Sequence, residues 1–486
     1  MSKRMFPFIL YIVMGISIVA FFGCNKLLEV EAPKNSMTSE NIYSNDATAA
    51  AVLTGLYTNM CNANLSRALQ INAISAVAGL SADELILFGG SANANQTFLL
   101  YYQNRVNPGA STLSSASFWS SLYADIYILN IALEKLEQSK GLNPTVRQHL
   151  IGEAKFLRAF NYFYLVNLYG DIPLAVSSDY RKNAVLPRNA HADVYAQIIS
   201  DLKDAQQTLS DNYLSDDAYS GTEERVRPNK WAATALLSRT YLYAKQWRDA
   251  AEQASLLIQN KAQYDTVALD KVFLMNSKEA IWQLQPVNAG WNTEEGRLFV
   301  LQDRGPTSNV SIDGNPVYLS DFILNSFESG DKRTTEWVNN VVANGTTYYY
   351  PYKYRNARLN NSISEYSMVL RLGEQYLIRA EANAMLNRLA EARNDIDVIR
   401  TRAGLPAVDA NDQSSIVNAI LRERKVELFT EWGHRWLDLK RSGTVNETML
   451  QVAPTKGTTW SNKWQWYPIP LYDIIQNDNL VQNDGY

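Results

Sequence analysis

Cysteine and histidine are scarce in this chain. Its 486 residues include two cysteines and three histidines. Cys24 belongs to an N-terminal signal, which leaves Cys61 alone and excludes an internal disulfide. Cys61 follows Met60 at the end of an apolar-periodic segment and reads as a buried structural thiol. His149, His191 and His434 weigh against imidazole-based catalysis or a histidine-rich metal site. A basic run is also missing. The net charge is −4, so the chain has no electrostatic footprint for nucleic acid.

Catalytic motifs are absent too. There is no Gly-x-Ser-x-Gly elbow, no phosphate-binding glycine loop and no His-Glu-x-x-His. Adjacent acids occur at Asp83-Glu84, Asp216-Asp217 and Glu294-Glu295, and they read as solvated loop charges. A glycosidase needs two carboxylates about 5–10 Å apart across a sugar, a spacing no sequence displays. The acidic loop from Asp211 to Glu224 lacks the ordered spacing of a calcium site. No cofactor is expected, and structural calcium is not indicated.

What is present begins at the N-terminus. Lys3 and Arg4 precede an apolar stretch, Phe6 to Gly23, that ends at Cys24. Cations, an apolar core and a small residue before the cut make a secretory signal. A cysteine just after the cut resembles a bacterial lipobox, in which the thiol is acylated. The competing reading is a transmembrane helix, since about 18 apolar residues approach the minimum span. The polar stretch after Cys24 favours the lipoprotein, with residues 1–23 as signal peptide and 24–36 as a tether. No second apolar run approaches a membrane span.

The apolar fraction of 46% fits a well-buried globular protein, and the length calls for two lobes or one lobe with large insertions. Most of 37–486 reads as helix. Asp46 is the expected cap of a helix whose face holds Val52, Leu53, Leu56, Tyr57 and Met60. A second helix carries Trp119, Leu122, Ile126, Leu129, Leu133 and Leu136. Asn143-Pro144 opens a third, which Gly170, Asp171 and Pro173 stop. Periodicity returns at about 191–209, 229–245, 247–260, 365–386, 388–403 and 414–441, with short intervals that suit paired helices. Three of these segments place an arginine before a small residue on an apolar face: Arg158-Ala159, Arg239-Thr240 and Arg379-Ala380. Alanine-rich helices follow two of them. That pattern predicts nested, tetratricopeptide-like hairpins.

Three stretches break the helical texture, at about 83–113, 265–365 and 442–470. The third holds Trp460, Trp464 and Trp466. Aromatic-rich insertions of this length are functional more often than not. The candidate ligand contacts are Tyr101, Tyr102, Trp291, Tyr318 and Trp337, with Asn95, Gln96, Asn292 and Arg297 as hydrogen-bonding partners. For each of them, packing is the competing role.

The segments Gly152 to Leu174 and Arg422 to Arg441, the start at Cys24 and the ending Gln482-Asn483-Asp484-Gly485-Tyr486 resemble the SusD/RagB family of outer-membrane lipoproteins. At Glu431-Trp432-Gly433-His434-Arg435 the chain departs from that family's usual Glu-Gly-x-Arg. The resemblance implies a mostly helical fold of about four tetratricopeptide-like pairs with loop-rich insertions. It also implies a non-enzymatic surface protein, lipid-anchored in the outer membrane. Such a protein captures a nutrient, usually a glycan, as a hinged lid over a SusC-like TonB-dependent transporter. A peptide-binding lipoprotein, a tetratricopeptide-type adaptor and a glycan hydrolase are the alternatives. Replacing Cys24 with Ala should release the protein from the membrane fraction or leave it unprocessed, as fractionation would show. The thermal melting of the purified variant should be unchanged.

Overall fold

The computed structural model describes residues 39–61, 73–93, 95–109, 117–308 and 314–486. The expected signal 1–23, Cys24 and the tether 24–36 lie outside the described residues. Cα proximity divides the chain after Ile42. The described part of the first unit is one helical turn, Ser39–Ile42. All other elements belong to the second unit, Tyr43–Tyr486.

Helix α1 (Asp46–Cys61) buries Leu53, Leu56, Tyr57 and Met60 as expected. Its cap is Asn45 and not Asp46. The Asn45 side-chain oxygen accepts from the Ala47 and Thr48 N–H groups at 2.9 and 3.3 Å. Asn45 stands just before the first helical residue, where a side chain reaches the unpaired N–H groups. Asp46 instead accepts from the Asn143 N–H at 2.9 Å, tying α1 to the turn before the long central helix.

Helices α2 (Phe118–Gln138), α3 (Pro144–Tyr169), α4 (His191–Thr208), α5 (Lys230–Tyr243) and α6 (Trp247–Gln259) each pack on the next. Helix α3 starts where the sequence predicts. Asn143 Oδ1 accepts from Thr145 N–H at 2.9 Å, and Pro144 occupies the first turn. It ends at Gly170, whose φ of +82° suits glycine. Helix α6 then packs on α7 (Leu372–Met385), which also carries α8 (Leu389–Arg402) and α9 (Gln413–Glu427).

The three repeated arginines join neighbouring helices. Arg158 on α3 grips Asp201 on α4 at 2.8 and 2.7 Å. Arg239 on α5 grips Glu374 on α7 at 2.7 and 2.6 Å. Arg379 on α7 grips Asp395 on α8 at 2.9 and 2.6 Å. All three forks are bidentate, a geometry that fixes orientation as well as distance. Ala250, Ala254 and Ala392 are fully buried and allow the close approach of helix axes.

Two expected helices are divided. Within 365–386, Ser367–Arg371 is strand β6, paired antiparallel with β2 (Ala280–Leu284), and α7 begins only at Leu372. All five residues of each strand are buried, and a short fully buried run has no period that separates strand from helix. Within 414–441, α9 ends at Glu427 and α10 spans His434–Arg441. Between them Thr430, Trp432 and Gly433 take φ values of 53°, 45° and 74°. This left-handed turn drives Trp432 into the core. Its ring lies 5.8 Å from Phe160, and its Nε1 donates to the Met368 carbonyl at 2.7 Å.

The remaining strands lie in the irregular insertions. β1 (Leu85–Leu87) pairs antiparallel with β3 (Val317–Leu319), and β4 (Val338–Ala343) pairs with β5 (Thr346–Pro351). Asn344 and Gly345 form the two-residue turn between β4 and β5, with φ of 51° and 77°.

Behind these strands lies a buried charge network. Arg371 Nη1 bonds Glu279 at 2.9 Å and Glu427 at 2.6 Å, and its Nε bonds Glu431 at 2.7 Å. Arg333 pairs with Asp331, Glu423 and Glu427 at 2.8, 2.7 and 2.9 Å. Arg402 pairs with Glu279 at 2.5 Å and also with Glu427. Removing one partner of a buried ion pair costs roughly 3–5 kcal/mol, because the other charge stays desolvated. Arg371→Leu should therefore lower the unfolding free energy by about that amount. Urea titration should show a lower midpoint at an unchanged slope.

Candidate functional site

A half-exposed aromatic cluster forms where the β1/β3 pair meets the β4/β5 hairpin. Leu85, Leu87, Val317 and Leu319 point inward and are buried. Strand alternation then turns the residues between them, the cross-strand pair Ile86 and Tyr318, outward. The half-buried Tyr318 ring meets Tyr348 of β5 at 5.1 Å, and Tyr348 meets Phe88 at 5.9 Å, both edge to face. Gly305 backs this cluster with φ +72°. A Cβ there would lie 2.7 Å from the Ala343 Cβ, so no larger residue fits.

Beside Phe88 the chain turns through Gly89 and Gly90, at φ 79° and 52°. Asn93 holds this turn, donating from Nδ2 to the Phe88 carbonyl at 2.6 Å. Asn95 caps the helix Gln96–Tyr102 by accepting from Phe98 N–H at 3.0 Å. Gln96 is exposed. Tyr102 is buried beneath, and burial together with nearby Tyr318 pushes its phenol up to about 12. Gln96 Nε2 donates to the Asn93 carbonyl at 3.2 Å, so the segment that carries Phe88 continues into a turn bearing two side-chain amides. Half-exposed rings stack on apolar C–H faces, and amides hydrogen-bond hydroxyl groups.

The other sequence candidates divide. Trp291 is half-buried, and the Arg297 guanidinium lies 4.5 Å from its ring centroid; Arg297 also pairs with Glu294 at 3.7 Å. Asn292 is buried, and its Oδ1 accepts from the Ser364 and Glu365 N–H groups at 2.8 and 3.1 Å. Trp337 is also buried, with Nε1 donating to the Leu269 carbonyl at 2.9 Å. The buried Tyr101 packs on Tyr467 at 4.9 Å. Tyr101, Asn292 and Trp337 therefore hold the fold. Tyr318, Asn95 and Gln96 lie on the segments that form the surface cluster, while Trp291 and Arg297 make a separate stack. Phe88 and Tyr348 are additions that sequence reasoning missed. The Asn344-Gly345 turn signal was the available cue for Tyr348, since it sets the β5 register.

A cavity of about 210 Å³ opens beside α1, lined among others by Tyr57, Cys61, Leu214, Glu224, Arg227 and Leu284. Cys61 is half-buried on its wall and less enclosed than expected. Burial, with Glu295 and Glu294 nearby, raises its thiol pKa and keeps it protonated. Behind the cavity Arg227 grips Glu153 at 2.8 and 3.0 Å. Burial pushes Glu153 up, but Arg227 and His149 outweigh it and hold the carboxyl down to about 2. In the acidic loop, Asp217 accepts from the Tyr219 and Ser220 N–H groups at 2.8 Å each, which commits it to the turn. Among the described residues, no group of three or more His, Cys, Asp or Glu side chains is placed to hold a metal ion. No helix among them is long and apolar enough to cross a membrane.

The underside of the aromatic cluster is anchored to α9, α10 and the turn between them. Arg435 grips Asp83 at 2.7 and 2.8 Å, and Lys425 adds a contact at 3.0 Å. Ser320, just after β3, donates its N–H to the Glu84 carbonyl at 2.9 Å and its hydroxyl to the Asp83 carbonyl. Glu84 Oε1 accepts from Thr430 N–H at 3.2 Å. Burial, with the Asp83 charge beside it, pushes the Glu84 carboxyl up to about 8.

The comparisons with known proteins agree with this fold. Residues 26–242 match the family described as starch-binding and associating with the outer membrane, and residues 330–486 match the SusD family. SusD-like protein P25 of Formosa agariphila is 25% identical, over 96% of this chain and 97% of its own. The starch-binding protein SusD of Bacteroides thetaiotaomicron is 33% identical over 24% of this chain and 21% of its own. A SusD superfamily protein of Bacteroides vulgatus has the same fold at TM-score 0.76 and 20% identity, covering 91% of this chain and 99% of that one. A laminarin-binding SusD-like protein superposes at TM-score 0.73 and 23% identity, covering 91% and 100%.

Glu84 also makes the stability pH-dependent. Its carboxyl titrates near 8 in the fold against an ordinary value of 4.5, so the folded state holds an extra proton between these values. That contribution is complete below 4.5 and is lost as pH rises through about 8. Glu84→Gln is neutral throughout. Its unfolding free energy should lack the decline that the parent shows from about pH 5 to 8, as denaturant titrations at stepped pH would show. Both the matched segments and the shared fold lead to one assignment: the chain belongs to the SusD/RagB family.

Proposed function

We propose that this protein binds a glycan at the Phe88–Tyr318–Tyr348 cluster and hands it to a SusC-like TonB-dependent transporter. The observation that carries this reading is the cluster itself, three half-exposed rings in edge-to-face contact on a rigid backing. Starch and laminarin appear in the names of relatives, which supports a carbohydrate as ligand. Family descriptions place such proteins at the outer membrane, and the lipobox-like Cys24 would supply the anchor. The tether after Cys24 would let the protein swing as a lid. Binding draws on stacking and hydrogen bonds, so the protein acts without covalent chemistry and with little salt dependence.

A second reading, a tetratricopeptide-type adaptor, draws on an open groove of about 660 Å³ along α6, α7 and α8. Glu252, Leu256, Arg379, Asn383, Arg388 and Glu391 are among the residues lining it. Its mixed charges suit a polar peptide. Calorimetry against polysaccharides, oligosaccharides and peptides separates the two readings. We expect glycan binding by the parent protein. Tyr318→Ala and Tyr348→Ala should each weaken it about tenfold, equivalent to about 1.4 kcal/mol. Binding of peptides with no response to any glycan would reverse the order of the two readings.

A further inference from the structure

The stretch 460–466 takes no part in the cluster described above. It carries Trp460, Trp464 and Trp466 on and beside one short 3-10 turn, Asn462–Gln465. All three indoles are half-exposed. Each is held by an internal partner. The fully buried Trp436 meets Trp460 edge to face at 6.2 Å, and Trp460 Nε1 donates to Asn446 Oδ1 at 2.9 Å. The Arg105 guanidinium lies 5.6 Å from the Trp464 centroid and also donates to Thr459 Oγ1 at 3.1 Å. Lys440 Nζ lies 4.5 Å from the Trp466 centroid.

The turn itself is pinned. Lys463 pairs with Asp484 at 2.8 Å, Tyr467 N–H donates to the Leu168 carbonyl at 2.9 Å, and the Tyr486 hydroxyl donates to the Trp466 carbonyl at 3.1 Å. Three tryptophans within seven residues are thus fixed in place while part of each ring stays in water. Large aromatic side chains are ordinarily drawn inside. Packing explains the held side of each ring and leaves the exposed side without a role.

The side chains between the rings are Ser461, Asn462, Lys463 and Gln465. Aromatic surface interleaved with hydroxyl and amide groups suits a pyranose, which offers an apolar C–H face rimmed by hydroxyls. The core of a protein–protein contact is instead depleted of charge, whereas this turn carries the exposed Lys463–Asp484 pair. We infer that the 460–466 turn is a second carbohydrate-binding surface that takes a pyranose oligosaccharide by stacking on Trp460 and Trp464. The inference rests on the reading that the protein binds glycans. The helix Gln96–Tyr102 links the two surfaces: Asn95 begins it next to the Phe88 turn, and Arg105 follows its end under Trp464. One polysaccharide chain could then engage both surfaces and gain from effective concentration.

The test uses the full chain and a panel of polysaccharides, soluble starch and laminarin included, in affinity electrophoresis. Calorimetry follows with a short oligosaccharide of whichever polymer binds. The parent should take two oligosaccharides per chain and the Trp460→Ala/Trp464→Ala variant one, with at least a tenfold loss of polymer affinity from the lost avidity. Trp464→Tyr keeps a stacking ring and should retain both sites. If the double variant melts early, Trp460→Ala alone decides by the same stoichiometry. A double variant that binds like the parent would overturn the second surface and leave the glycan reading standing. Loss of a co-purifying barrel protein at unchanged stoichiometry would also overturn it, making the turn a protein contact. A parent that binds no glycan at all would remove the glycan reading and this inference with it.

Discussion

Arg371 sits at the junction of three segments that are remote in sequence, and the second half of the protein is assembled around its guanidinium. It bonds Glu279 from the loop before β2, Glu427 at the end of α9 and Glu431 in the turn that follows. Arg333, Arg402 and Lys353 add three more cations to the same nest of carboxylates. Trp337 roofs it, with the cationic ends of Lys353 at 4.9 Å and of Arg371 and Arg402 at 5.9 Å from its ring centroid. Burial, with the Arg371 charge nearby, pushes Lys353 down, and even beside Glu431 its ammonium titrates only at about 8. Charges this deep persist only when nearly every one faces an opposite charge. The network therefore acts as a fastener: it closes when all its segments arrive, and it fixes the irregular insertions to the helices.

The same logic reaches the surface through the turn between α9 and α10. Thr430 and Trp432 hold left-handed backbone angles although neither is glycine, a conformation that persists only where surroundings compel it. Trp432 is locked into the aromatic core, Glu431 joins the Arg371 nest, and Arg435 reaches out to Asp83 below β1. Five consecutive residues thus connect the helical array, the charge network and the floor of the aromatic cluster. Within this turn the Trp432 ring fills space against Phe160 and Tyr164.

Much of the helical scaffold was legible because its signals are local. Asn143-Pro144 opens α3 and Gly170 ends it, and the arginines at 158, 239 and 379 each proved to grip a carboxylate on an adjacent helix. The carboxylates themselves were not legible, since Glu374 lies far from Arg239 in sequence. Strand β6 was read as helix because a short, fully buried run has no diagnostic period. The site was the least legible part. Trp337 and Tyr318 come from similar aromatic-rich, irregular sequence, yet one is core and the other lies at the surface. What separates them is nonlocal pairing. Tyr318 is turned outward by the register of β1 against β3, and its neighbour Tyr348 arrives from a different hairpin.

That register has an evolutionary consequence. On β1 and β3 the holding is done by inward residues, Leu85, Leu87, Val317 and Leu319, while the presenting is done by outward ones. Alternation along a strand separates the two tasks at single-residue resolution. Outward positions can mutate one at a time without reaching the buried charges or the helix pairs. A lineage that inherits this scaffold can change the chemistry of this surface by small steps, and each intermediate along the way still folds.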